Sequence, residues 1–477
     1  MRLMIAGGGG FRVPLVYRAL SSGPFARLVH ELVLFDVDPL RLAAIKAVLS
    51  SIGSGPAGAG LAGSGGAGPG PAVRTTTSLA DGLDGTDMVF AAIRPGGTAG
   101  RIADERVALG LGLLGQETTG AGGISYALRS IPGMLELARE MKRRCPEAWL
   151  VNFTNPAGMV TEALVPVLGT RVIGICDSAG ALVHRAARAA GAPLPEGKLD
   201  GVGYYGLNHL GWLYRLESAG QDLLPGLLAD APALSGFEEG RLFPQPFLQS
   251  LGCLPNEYLY YYYDTGRAVG AIRAMAQTRG ESIHEQQSGL YPALAAAGPR
   301  AYDLWDAARR SREEGYLAEA RASGEQRDED DLAGGGYERV ALGVMRALSG
   351  GVSGGASGGA SGRASGGGAE LILNTPNAGA VPGLPADAVV EVPCVVTSDG
   401  AVPLPQDRPA DAQLALMQRV KEVERLTVSA AAHGRRDDAV RAFALHPLID
   451  SDKLAVELLA GYEAAFPALG LLWRGGD

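Results

Sequence analysis

The first 195 residues alternate short apolar runs with longer amphipathic stretches, and this pattern constrains the fold more than any other feature. The runs are Leu3–Ala6, Glu31–Phe35, Met88–Ile93, Trp149–Phe153 and Arg171–Ile175. Segments of that length without a polar face fit strands buried on both sides, and the stretches between them suit helices. The pattern predicts βαβ units and a parallel sheet covered on both faces, an α/β domain over 1–195. The remainder, 196–477, is more mixed. Lys198–Leu207 and Leu210–Glu217 read as strands around Asn208-His209, Leu414–Ala432 and Leu454–Ala465 as helices, and Glu370–Leu373 and Ala388–Val396 as late strands. A second, α+β domain ending in a packed helix is expected there.

With 47% hydrophobic and 19% charged residues over 477 positions, the chain can bury large cores, which excludes wholesale disorder. Glycine is in excess, 70 residues, and the excess concentrates in Ser54–Pro71 and Ser349–Ala369. These Gly/Ser/Ala tracts are too small-sided to pack and are expected to be flexible insertions. A formal net charge of -9 leaves no footprint for nucleic acid or an anionic membrane, so a small-molecule partner is the default. Cys145, Cys176, Cys253 and Cys394 are far apart with no CxxC pair, which suits a reducing compartment. The opening MRLMIAGGGGFR breaks into glycines and reads as a first strand, not a signal segment. No apolar stretch approaches the ~20 residues of a membrane-spanning helix, and the expected location is cytoplasmic.

Gly7, Gly8, Gly9 and Gly10, followed by Phe11, stand between a strand and a helix opening near Pro14. Glycines there let the backbone turn tightly and approach a pyrophosphate, whose charge meets the unsatisfied N–H groups of the helix start. Arg12 replaces the third glycine of the GxGxxG register, so the motif is imperfect. Asp36 ends the second run, where a carboxylate can accept bonds from an adenosine ribose 2′-OH; that favours NAD over NADP. The first domain is thus expected to be Rossmann-like and NAD-binding, of the lactate/malate dehydrogenase type. A glycine-rich turn in an ordinary α/β domain is the alternative.

Arg171–Ile175 runs directly into Cys176 and Asp177. Ligands of open α/β sheets gather at the carboxyl ends of strands, so both side chains are well placed for chemistry. His209 adds an imidazole, and Cys176 with His209 could hold a divalent metal while leaving positions open for a substrate. Read alone, a cysteine after a strand is more often a small core residue.

Longer strings carry further information. GGGGFRVP (Gly7–Pro14), FDVD (Phe35–Asp38), IRPGG (Ile93–Gly97), GQETTGAGG (Gly115–Gly123), NFTNPAGMVTEA (Asn152–Ala163), GICD (Gly174–Asp177), GLNHLGW (Gly206–Trp212), EYLYYYY (Glu257–Tyr263) and VEVPC (Val390–Cys394) occur in that order. Together they resemble glycoside hydrolase family 4, the NAD- and divalent-metal-dependent glycosidases, along nearly the whole chain. The resemblance implies a mechanism outside two-carboxylate glycoside hydrolysis: NAD takes hydride from the sugar C3, a base removes the acidified C2 proton, the glycosidic bond leaves by elimination, and water and hydride return. It implies a metal, usually Mn²⁺, on Cys176 and His209. It also implies Tyr258 as the base and Asp177 as a general acid for the leaving oxygen, a helix cap or support for the metal site being the alternative for Asp177. By the same resemblance Arg94 and Arg279 would hold a sugar 6-phosphate and Asn155 the sugar hydroxyls. A surface ion pair is the alternative for Arg279, and tyrosine packing for Tyr260–Tyr263. Two positions depart from the family: Asp177-Ser178-Ala179-Gly180 lacks the usual proline, and Arg12-Val13 replaces Tyr-Thr.

The resemblance, nearest in GLNHLGW and LPNEYLYYYY to the 6-phospho-β-glucosidases, implies that activity on a phosphorylated disaccharide or glucoside, by a homodimer or homotetramer. Asp177 beside the cysteine makes a 6-phospho-α-glucosidase the runner-up. An NAD-dependent dehydrogenase on the same scaffold and a non-catalytic NAD sensor are the rivals of a different class.

Overall fold

The computed structural model describes residues 1–52, 70–321, 336–350 and 368–473. The two glycine-rich tracts expected to be flexible, 54–71 and 349–369, lie almost wholly outside the described residues.

The five apolar runs of the first half are strands, within a residue or two of where the pattern puts them, β1 (Arg2–Ala6), β2 (Glu31–Phe35), β4 (Met88–Ala91), β5 (Trp149–Asn152) and β6 (Val172–Gly174), and a further strand, β3 (Ala72–Thr76), joins them. They pair in parallel in the order β3-β2-β1-β4-β5-β6. Alternate side chains of β1 enter opposite cores, Leu3 and Ile5 on one face and Met4 and Ala6 on the other, which explains why the run is apolar throughout. β3 escapes a reading by apolar runs because Ala72–Thr76 is a half-exposed edge strand, AVRTT.

Helices α1 (Val13–Ser21), α2 (Pro39–Ser51), α3 (Gly97–Gly110), α4 (Gly120–Arg144) and α5 (Ala157–Leu168) run between these strands, a short helical segment Leu79–Leu83 precedes β4, and α6 (Ser178–Ala189) follows β6. Local chemistry sets their starts. α1 carries proline in its first turn, and the Asp38 carboxylate accepts from the Leu40 and Arg41 N–H groups to cap α2. α6 forms although the family's proline is missing before it. Because strand order reverses between β1 and β4, a crevice opens at the carboxyl ends of the strands.

Among the described residues the second half builds no separate sheet of its own. Its strands β7 (Val202–Leu207), β8 (Leu210–Ser218), β9 (Gln221–Asp222), β10 (Leu254–Pro255), β11 (Ala369–Pro376), β12 (Val389–Thr397) and β13 (Gly400–Pro403) extend the first sheet in antiparallel fashion, in the order β6-β11-β12-β7-β8-β10. β11 covers the edge that β6 would otherwise expose, through the pair Asn374↔Gly174. β7 and β8 meet at Leu207↔Leu210, so Asn208-His209 is the tip of a two-residue hairpin. His209 sits there in the left-handed region, φ 63°, an uncommon conformation for a non-glycine residue.

Helices of the second half pack over the crevice: α7 (Arg279–Ser288), α8 (Leu290–Ala296), α9 (Ala301–Glu314) and α10 (Tyr337–Leu348). The long helix α11 (Asp411–His433) packs on α4 and α5. Among the described residues no helix is long and apolar enough to cross a membrane.

Candidate active site

The glycine turn leaves no room for side chains. A Cβ on Gly7, whose φ is 92°, would lie 2.5 Å from the Ala92 carbonyl oxygen, and one on Gly8 would lie 2.7 Å from the Leu34 backbone. The Gly7 and Gly8 N–H groups donate to the Phe35 carbonyl, at 2.9 and 2.7 Å. Gly7, Gly10, Phe11 and Asp36 line a cavity of about 790 Å³, whereas Gly8 and Gly9 serve the close packing behind it. Asp36 accepts the Gly9 N–H at 3.0 Å and the Asp38 N–H at 3.1 Å, so its carboxylate is held beside the turn.

Cys176, Asp177 and His209 line the same cavity. Cys176 Sγ lies 3.5 Å from His209 Nε2. Burial pushes His209 down to about 3, so its ring is neutral and able to act as a ligand. Burial, then Glu391 and Asp177, push the Cys176 thiol well up. Metal–ligand bonds of about 2.0–2.3 Å allow one ion to touch both atoms. Among the described residues no third His, Cys, Asp or Glu joins them, so such an ion would keep open positions, as a catalytic metal does. The donor pair fits a divalent cation. Among the described residues the buried His209 Nδ1 has no hydrogen-bond partner.

Tyr258 also faces the cavity, and its ring stacks on that of His209. The Asn256 side chain accepts the Tyr258 N–H, fixing the short turn that carries it, and the Tyr316 hydroxyl donates to the Tyr258 hydroxyl at 3.1 Å. Burial, then Glu257 and Cys176, push the phenol well above its ordinary value; a cation on the Cys176–His209 pair would act in the opposite direction. Of the following tyrosines, Tyr261 reaches the cavity and donates to Glu319 at 2.7 Å. Tyr260 is fully buried, and Tyr263 accepts from the Trp212 indole, in line with the packing role expected of them.

Asp177 is the N-cap residue of α6, yet its side chain makes no capping bond. Its carboxylate lies 3.8 Å from the Arg12 guanidinium; burial raises its pKa and Arg12 opposes that. Arg94, at the end of β4, pairs with Glu117, which also pairs with Arg101 at 2.6 Å. Burial alone would raise the Glu117 pKa, but Arg101 and Arg94 bring it to about 2. Among the described residues Arg279 forms no ion pair; it lines the cavity and donates to the Arg312 carbonyl. Asn155 lines the cavity as well. All the residues singled out from the sequence thus converge on one crevice, Gly8 and Gly9 from behind.

Sequence reasoning missed several members of this site. Arg12, read only as a departure in the cofactor turn, bonds Glu313 at 3.1 Å besides facing Asp177. Arg101, Glu257, Arg312 and Tyr316 line the cavity too. Only Glu257 had a local signal, its place directly before Tyr258.

The family model for the family 4 glycosyl hydrolases matches residues 3–191, and that for the family 4 glycosyl hydrolase C-terminal domain matches 204–449. The chain belongs to glycosyl hydrolase family 4. It is 28% identical over 421 residues to the 6-phospho-beta-glucosidase of Escherichia coli, covering 82% of each chain. It is also 28% identical over 470 residues to a maltose-6′-phosphate glucosidase of Bacillus subtilis, covering 95% of this chain and 93% of that one. The solved 6-phospho-beta-glucosidase of Thermotoga maritima, with manganese, NAD+ and glucose 6-phosphate, superposes with a TM-score of 0.75 at 25% identity, covering 98% of this chain and 99% of that one. Membership of family 4 is what the strings from GGGGFRVP to VEVPC imply.

Proposed function

We propose that this family 4 glycosidase is a cytoplasmic 6-phospho-β-glucosidase that hydrolyses phosphorylated β-glucosides with NAD and a divalent cation such as Mn²⁺. The observation that carries the reading is the Cys176–His209 pair with Tyr258 stacked on it, in the cavity that the glycine turn also lines. Names of relatives and of the Thermotoga maritima structure support the same substrate class and cofactors.

Bound together, the nicotinamide and the cation supply hydride exchange at the sugar C3 and charge stabilisation at its C2 and C3 oxygens. The chain does the rest. Gly7, Gly10 and Phe11 leave the space for the diphosphate, and Asp36 accepts from the ribose hydroxyls. Arg94 and Arg279 hold the 6-phosphate and Asn155 the sugar hydroxyls, so remote binding energy orients C2 toward the base. Tyr258, which a cation held by Cys176 and His209 would favour as phenolate, would take the C2 proton on its oxygen and later return it. Asp177 serves the leaving oxygen. Its place in the cavity beside Cys176 favours a second reading, 6-phospho-α-glucosidase, and a relative named for maltose 6′-phosphate supports it.

Paired chromogenic α- and β-glucoside 6-phosphates, with NAD and Mn²⁺ each present or withheld, decide between them. Cleavage of the β substrate alone, dependent on both additions, is expected; cleavage of the α substrate alone would overturn the anomeric assignment. Net accumulation of NADH without sugar release would favour a dehydrogenase.

A further inference from the structure

Elements from the second half of the chain grip the glycine turn. The Tyr291 hydroxyl donates to the Gly9 carbonyl at 3.1 Å, the Trp305 indole to the Phe11 carbonyl at 2.8 Å, and the Tyr337 hydroxyl to the Arg12 carbonyl at 2.5 Å. The Tyr302 N–H adds a bond to Ser51 Oγ on α2. Tyr302 and Trp305 belong to α9, so this helix is fixed against the turn in position and rotation.

The same helix carries Arg312. Its guanidinium lies over the Phe11 ring, 5.3 Å from the centroid, and Arg312 lines the cavity. Among the described residues the guanidinium has no hydrogen-bond or ion-pair partner. The acids near it are engaged elsewhere, Glu313 with Arg12 and Glu117 with Arg94 and Arg101. Burial, then the cations Arg12 and Arg279, hold Arg312 down to about 9, the environment of a guanidinium awaiting an anion.

Resting on the reading that this cavity binds NAD, we infer that Arg312 is a phosphate-binding residue that closes over the glycine turn and donates to the diphosphate of the dinucleotide. Both the cofactor and the proposed substrate offer phosphate oxygens to its planar fork. The stack on Phe11 and the anchoring of α9 to the Phe11 carbonyl favour the cofactor as the source.

The test is calorimetric binding of NAD, ADP-ribose, adenosine and glucose 6-phosphate to the purified full chain, wild type against Arg312→Met and Arg312→Lys. Met keeps the aliphatic stem against Phe11 while removing the charge, and circular dichroism checks that each variant is folded. Arg312→Met is expected to lose roughly ten- to hundredfold in affinity for NAD and ADP-ribose, the range of a charged hydrogen bond, with adenosine unchanged. Arg312→Lys should recover part of the loss. Unchanged NAD and ADP-ribose affinity in folded Arg312→Met overturns the inference. A loss confined to glucose 6-phosphate overturns it as well and assigns Arg312 to the sugar phosphate. Wild-type chain that binds no NAD would instead overturn the proposed function.

Discussion

Tyr258 lies flat on His209, with ring centroids 3.7 Å apart and planes within 6° of parallel. The two residues come from separate elements, the β7–β8 hairpin tip and the short turn before Tyr260, and the stack fixes the phenol relative to the imidazole that pairs with Cys176. In the proposed function this stack would set the base beside the metal ligand without a flexible segment.

Tyr258→Phe keeps that stack and deletes only the hydroxyl. Turnover should fall by about 10²–10⁴, the usual worth of a positioned base, with little change in substrate binding. Wild-type hydrolysis in heavy water should place deuterium at C2 of the released sugar, read by NMR. Unlabelled product together with an active variant would remove Tyr258 from the role; label with an active variant would move it to Tyr261, the neighbouring tyrosine that reaches the cavity.

Cys176→Ser and His209→Ala should each abolish hydrolysis and weaken Mn²⁺ binding, measured by electron paramagnetic resonance, while NAD binding stays close to wild type. The pair stands after β6 and at the hairpin tip, apart from the glycine turn after β1. Full activity of either variant in metal-depleted buffer would refute the donor pair.

How much of this site is legible from the sequence follows from how each residue is placed. Central strands are apolar throughout because two cores cover them, so their ends, and with them Gly7, Asp36 and Cys176, can be read locally. The edge strand β3 has no such pattern. Pairing of β6 with β11 joins Gly174 to Asn374, two hundred positions apart, and nothing local announces it. The Arg12–Asp177 and Arg94–Glu117–Arg101 contacts and the place of Arg312 depend on how helices pack, which charged residues do not encode by spacing alone. Family strings supply the roles of Arg94, Asn155, Tyr258 and Arg279, and the packing that brings Tyr258 and Arg279 to the cavity is not local.

Wild-type chain should bind NAD more tightly than NADP, since the Asp36 carboxylate, fixed beside the glycine turn, would repel a 2′-phosphate there. Asp36→Ala should narrow the preference by about tenfold, because Arg41, which lies against Gly9 on the same side as Asp36 and donates to the Gly9 carbonyl, then remains as the charged neighbour. It should also loosen the turn, as the Gly9 and Asp38 N–H groups lose their acceptor. Fluorescence titration with both cofactors checks the ratio, and tighter wild-type binding of NADP would show that Asp36 does not face the ribose.

Glu117 links stability to pH through the arginines of the cavity. Its carboxyl falls from an ordinary 4.5 to about 2 in the folded chain because Arg101 and Arg94 outweigh burial. A carboxyl lowered on folding stabilises the native state fully above its unfolded value, and that contribution fades as pH drops toward the folded value. The shift corresponds to something on the order of 3 kcal/mol. Glu117→Gln should therefore unfold at lower urea than wild type at pH 7, with the gap narrowing as pH falls from 5 toward 3. The same substitution frees Arg94 and Arg101 from their shared carboxylate. If those guanidiniums can turn to phosphate, affinity for glucose 6-phosphate should hold or rise while stability drops. A gap that stays constant from pH 7 to 3 would show that Glu117 is not ionised against the arginines in the folded chain.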